Sequence, residues 1–165
     1  MKIRAESVSD KKAVYEINKQ AFPGDDEAKL VDALRENADP IVSLVAELKG
    51  QVIGHILFSP VTLSSRPDLK LMGLAPMAVL PEFQKQGIGS KLVNESVSKC
   101  KDLEFAGIVV LGHPDYYPKF GFVPSVNFGI KCTYDVPDEA FMVLELKEGV
   151  FKAGVVSYHP EFDNL

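Results

Sequence analysis

The chain has little of what holds cross-linked or metal-built proteins together. Its 165 residues include two cysteines, Cys100 and Cys132, and three histidines. No Cys-x-x-Cys pair occurs, so neither a disulfide framework nor a zinc site is indicated, and both thiols are expected to be free and buried. No apolar run approaches the length of a bilayer span, and Met1-Lys2 leads into alternating residues with no signal-like apolar core. A cytoplasmic protein is the expectation. Positive charge is also short, with a formal net charge of −5. Nucleic acids and anionic membranes are bound through basic patches, so neither is an expected partner, and a cationic or neutral one is. No repeat, low-complexity tract or linker interrupts the chain. The remainder, 46% hydrophobic, reads as one globular domain over residues 1–165 with a substantial core.

One further absence is local. From Phe83 to Asn94 there is no acidic residue, although Lys85 and Lys91 are present. A helix start ordinarily prefers Asp or Glu against the positive end of its dipole, so the inversion points to an external anion. Gly87 and Gly89 let a ligand approach the backbone, and the first amides of the helix that follows have no partner within it. Together these make an anion seat. The nucleotide motifs do not fit: no Gly-x-x-x-x-Gly-Lys-Ser/Thr run exists, and Leu92 stands where a dinucleotide fingerprint needs its third glycine. A ligand-free, glycine-softened turn would leave the missing acids unexplained.

Taken in order, Lys2-Ile3-Arg4-Ala5 alternates as a strand. A helix follows with Ala13, Val14, Ile17 and Ala21 on its apolar stripe and ends at Pro23-Gly24. Asp25-Asp26-Glu27, capping acids, open a second helix with Leu30, Val31 and Leu34 on one face, closed by Asn37 and Pro40. Residues 41–48, a Lys49-Gly50 turn and residues 52–63 read as a hairpin. After a turn-rich break at residues 64–68, Leu69 to Leu80 forms the strand that feeds the glycine loop. Pro76 removes a ladder donor from it and should force a bulge that leaves nearby backbone groups available. The glycine-led helix carries Ile88, Leu92, Val93 and Val97 on one side. Ala106 to Leu111 is a buried strand, so strand, helix and strand form a parallel crossover. A short helix near Tyr117, a strand at Gly121-Phe122-Val123-Pro124, an irregular segment to Pro137 and a strand from Ala140 to Leu146 follow. The strand at 140–146 is expected beside the Phe122 strand. Residues 150–157 form a last short strand and residues 158–162 a docked tail.

Gln84-Lys85-Gln86-Gly87-Ile88-Gly89, preceded by Leu80-Pro81, resembles the Gln/Arg-x-x-Gly-x-Gly/Ala pyrophosphate loop of the GNAT acetyltransferase superfamily. Tyr117-Pro118-Lys119-Phe120-Gly121-Phe122 resembles the Tyr-x-x-x-Gly-Phe run common in that family, and the two stand in the family's order around the crossover helix. The stretch from Leu111 to Tyr117, with Gly54-His55-Ile56-Leu57-Phe58, is similar to the bacterial subgroup described as YhbS-like N-acetyltransferases. Gln84 stands where many members have arginine, and Pro118 falls early in the short helix.

The resemblance implies one α/β (α+β) domain with a mixed, mostly antiparallel sheet and helices on both faces. The core would span 1–146, with a C-terminal strand and tail over 147–165. It also implies acetyl-coenzyme A as co-substrate, with no metal. Gln84, Lys85, Gln86, Gly87, Ile88, Gly89 and Ser90 would hold the pyrophosphate. Met77, Ala78 and Val79 would meet the pantetheine arm and the acetyl carbonyl, and Tyr117 would lie beside the sulfur as proton donor to the thiolate. Tyr116, one residue away, is expected to point elsewhere. The implied reaction moves the acetyl group to a small-molecule or peptide amine by direct attack in a ternary complex, in a monomer or homodimer. A non-catalytic coenzyme A-binding sensor or interaction module is the alternative.

An alkyl ammonium is almost wholly protonated at pH 7, so a base must free it. Glu47, on a strand that often lines the acceptor side in this family, and His113 and Asp115, at a strand's carboxyl end just before Tyr117, are the candidates, with Glu47 and His113 carried forward. His55, within an apolar strand, reads as a packing residue.

Overall fold

A computed structural model describes residues 1–164. Lys49 and Gly50 take φ of 51° and 80°, the left-handed pair that a two-residue hairpin turn requires. β2 (Val42–Leu48) therefore folds back on β3 (Gln51–Leu63) with Leu48 opposite Gln51. β1 (Lys2–Ala5) lies against β2 and β4 (Arg66–Val79) against β3, all antiparallel. The break expected at 64–68 is tighter than its composition suggests, because Leu63 already pairs with Arg66. α3 (Ile88–Asp102) then crosses to β5 (Gly107–Leu111), which runs parallel to β4.

Beyond β5 the sheet is completed out of sequence order. β8 (Phe141–Glu145) inserts between β5 and the two-residue β6 (Val123–Pro124), antiparallel to both. The main path is thus β1-β2-β3-β4-β5-β8-β6. The segment expected to be irregular holds one more strand, β7 (Ile130–Cys132). It pairs parallel with β9 (Gly154–Ser157), which also closes on the end of β3. Three residues carry too little local preference to announce a strand, and the partner lies far along the chain.

Helices cover both faces, as expected. Val14 of α1 (Lys11–Ala21) and Leu30, Val31 and Leu34 of α2 (Asp26–Asn37) pack with Val45 and Leu57. Leu92 and Val93 of α3 pack with Ala46 and Ile56. Ala46 and Ile56 adjoin Val45 and Leu57 in sequence, so the period of two puts them on the opposite face. The tail docks on the first of these layers: Phe162 is buried there, in a 3-10 turn over Pro160–Asn164. Of the thiols, Cys100 is buried but Cys132 is only half-buried, a correction to the expectation of two buried cysteines.

His55 is a core residue. It is fully buried, its Nε2 lies 2.9 Å from Ser43 Oγ, and Ser43 Oγ donates to Glu6 at 2.8 Å. The hydroxyl has one proton, so the imidazole must donate to it. Burial, and secondarily the charge of Arg35, bring its pKa down to about 3, leaving the ring neutral. Among the described residues, no helix is long and apolar enough to cross a membrane.

Candidate active site

β4 and β5 run together only from Leu71 to Leu74, opposite Gly107 to Val110. Past that point β4 continues alone on this edge while still pairing with β3. The β3–β4 register shifts between Ile56 and Phe58, so Ala75 and Pro76 oppose Leu57 alone, the bulge that Pro76 led us to expect. Which backbone groups are free follows from one bond. The Leu80 amide donates to Ile53 of β3 at 2.9 Å. Antiparallel strands alternate their hydrogen-bonding direction, so Ala78 also faces β3, while Met77 and Val79 face the gap left by β5. Ala78 is therefore occupied by the sheet, and Met77 and Val79 supply the free edge.

The loop after β4 is exposed and turns twice through left-handed conformations, at Lys85 (φ 63°) and Gly87 (φ 83°). Gly87 is the N-cap of α3, with no side-chain cap and no acid in the first turn. The first internal bond of the helix runs from the Lys91 amide to the Gly87 carbonyl, leaving the amides of Ile88, Gly89 and Ser90 free. A Cβ at Gly87 would meet nothing within 4 Å, so the space before the helix is open. Uncapped amides, open space and the nearby cations Lys85 and Lys91 fit the diphosphate of coenzyme A. Gln84 acts differently from the expectation. Its Nε2 donates to the Val79 carbonyl at 2.9 Å, so it ties the loop to the free edge of β4.

After β5, Tyr116 and Tyr117 part company. Tyr117 turns inward: it is 7% exposed, its ring meets Phe122 edge-on at 5.7 Å, and a Cβ on Gly112 would lie 2.5 Å from it. Burial, then the neighbouring Tyr116, raise its pKa to about 12, so its hydroxyl keeps its proton at neutral pH. It has no hydrogen-bond partner among the described residues. Tyr116 turns to the glycine loop. Its hydroxyl is 3.0 Å from Ser90 Oγ and 3.3 Å from where a Gly89 Cβ would be, and Lys119 Nζ sits 4.1 Å above its ring. Sequence reasoning left Tyr116 out of the site, expecting only that it points elsewhere than Tyr117; its direction, toward Ser90 and Gly89, has no signal in the local sequence.

The two candidate bases fare differently. His113 is exposed just beyond β5, and its carbonyl accepts from the amides of Tyr116 at 3.1 Å and Tyr117 at 3.4 Å. Glu47 lies on β2, with β3 between it and β4, and its Oε1 accepts from Arg4 Nε at 3.0 Å and Nη2 at 2.9 Å. The structure does not bring Glu47 to the gap between β4 and β5.

The sequence model of the acetyltransferase (GNAT) family matches residues 11–122. The chain belongs to the GNAT acetyltransferase family. It is 35% identical over 168 aligned positions to the uncharacterized N-acetyltransferase YhbS of Escherichia coli K12, covering all of both chains. The crystal structure of Escherichia coli YhbS in complex with coenzyme A superposes with a TM-score of 0.91 at 34% identity, over 98% of this chain and 91% of that one. A GNAT acetyltransferase from Brucella melitensis in complex with acetyl-coenzyme A gives a TM-score of 0.80 at 34% identity, over 98% and 97%.

Proposed function

We propose that this GNAT protein transfers an acetyl group from acetyl-coenzyme A to an amine by direct attack in a ternary complex. The observation that carries the reading is the joining of an uncapped α3 start to a free β4 edge. One binds a diphosphate; the other presents amides to an extended, amide-bearing arm and to a carbonyl. The coenzyme A complexes of its relatives support the same co-substrate.

Acetyl-coenzyme A supplies an acyl group activated as a thioester. The chain's own groups then have three tasks. The amides of Ile88, Gly89 and Ser90 hold the diphosphate, and the amides of Met77 and Val79 polarise the acyl carbonyl. The Tyr117 hydroxyl donates to the departing sulfur from a site too dry for it to ionise. His113, not Glu47, takes the proton released by the amine, directly or through water. One C–N bond forms as one C–S bond breaks; counted from the ammonium, nitrogen loses two protons, one passing through His113 to solvent and one offsetting the proton that Tyr117 gives to sulfur. Amine-dependent release of free thiol from acetyl-coenzyme A tests the reading. Binding without thiol release across varied amines would favour the non-catalytic module.

A further inference from the structure

A cavity of about 470 Å³ opens where β4 and β5 part, floored by Leu74 and Ala75 of β4 and by Leu111 of β5. That size suits a small ligand. Its other walls come from distant parts of the chain: Tyr134 and the tail residues Tyr158, Phe162 and Asp163. Phe162 and Tyr158 pack with the layer of α1 and α2, not with α3, so the cavity meets the gap from the side opposite the anion seat. Three rings run together along it, with centroids 5.9 Å apart for Tyr134–Tyr158 and 5.1 Å apart for Tyr158–Phe162. Leu111 is 40% exposed into this space, unusual for a leucine that closes a buried strand.

Two features suit the cavity to a ligand. The Tyr134, Tyr158 and Phe162 rings give it an apolar, aromatic wall, while the Tyr158 hydroxyl itself is buried and out of reach from the open space. Asp163, which is exposed, is the single carboxylate among the lining groups. A carboxylate with aromatic rings attracts an alkyl ammonium. The leucines, alanine and phenylalanine leave few hydrogen-bonding groups, so a polyhydroxylated amine would bury hydroxyls without partners.

We infer that this cavity is the acceptor site and takes a small primary amine carried on an apolar or aromatic body, which rests against the Tyr134, Tyr158 and Phe162 rings while Asp163 draws in the ammonium. The inference rests on the acetyl-transfer reading, because the cavity matters as an acceptor site only beside a bound acyl donor. It is specific to this chain's tail, which supplies three of the seven lining residues.

The test measures thiol release by the full chain, at saturating acetyl-coenzyme A, with 2-phenylethylamine, spermidine, kanamycin and a short peptide. The expected kcat/KM for 2-phenylethylamine is at least tenfold above the other three. Tyr134→Ala removes one ring of the wall at an exposed position, and Asp163→Asn keeps the shape and removes the charge. Each should raise KM for the amine about tenfold while the thermal shift caused by acetyl-coenzyme A stays at the wild-type value. Preference for spermidine, kanamycin or the peptide, or an unchanged amine KM in both variants, overturns the inference. If wild-type protein shows the acetyl-coenzyme A shift, such a result removes the cavity's role and leaves acetyl transfer standing. Absence of that shift in wild-type protein removes both.

Discussion

The hydroxyls of Ser90 and Tyr116 lie 3.0 Å apart, tying the first turn of α3 to the segment that follows β5. This contact spans the mouth of the anion seat, so it sets how the glycine loop and the end of β5 face one another. Tyr116→Phe removes the bond and keeps the ring under Lys119. A hydrogen bond of about 1 kcal/mol corresponds to a several-fold change in affinity. We expect KM for acetyl-coenzyme A to rise by that factor with kcat little altered. An unchanged KM would show that the seat holds its shape without the bond.

Tyr117→Phe should do the reverse. The ring packs against Gly112 and Phe122, and phenylalanine preserves both contacts. Melting temperature and KM for acetyl-coenzyme A should therefore hold, while kcat falls about a hundredfold through loss of one proton donor. Nearly full turnover would assign delivery of the proton to water or to His113.

The seat should depend on backbone more than on side chains. Gly87 sits at φ 83°, so any other residue there strains the loop even though its Cβ would have space. Acetyl-coenzyme A at a hundred times its dissociation constant stabilises by about 2.7 kcal/mol, visible as a rise in melting temperature. Gly87→Val should abolish that rise. Gln84→Ala loses only the tether to Val79 and should reduce it in part. Equal loss in the two variants would locate the binding energy in side chains.

His55 makes the fold sensitive to mild acid. Its folded pKa, about 3, lies below the ordinary 6.5, so on acidification the unfolded chain takes a proton that the folded chain refuses. Its contribution is fully present above pH 6.5 and is lost progressively as pH falls toward 3. The slope approaches at most about 1.4 kcal/mol per pH unit. Urea midpoints at pH 7.5, 6 and 5 should fall steeply in wild-type protein and less steeply in His55→Gln. Parallel slopes would mean that His55 is protonated inside the fold.

Much of this protein is legible along the chain. Strands, helices and the Lys49-Gly50 turn are local matters, decided by periodicity of two or 3.6 and by residues that accept positive φ. The anion seat is equally local, since Gly87, Gly89 and the missing acids lie within a single turn and its approach. Pro76 likewise marks its own bulge, because a residue without an amide hydrogen breaks a ladder wherever it falls.

The tertiary structure alone decides what depends on distant partners. Ala78 is paired and Met77 and Val79 are free because the Leu80 amide sets the alternation against Ile53, a residue from another strand. Tyr117 is the buried neighbour and Tyr116 the half-buried one of the pair because Tyr117 takes the room beside Gly112 and Phe122. Glu47 is kept from the gap because β3 lies between its strand and β4, and its carboxylate pairs with Arg4 instead. β7 exists because β9 lies beside it, and the cavity exists because residues near 75, 111, 134 and 160 converge. Local sequence records the preferences of neighbours; these five outcomes are competitions among residues that meet only after the chain has folded.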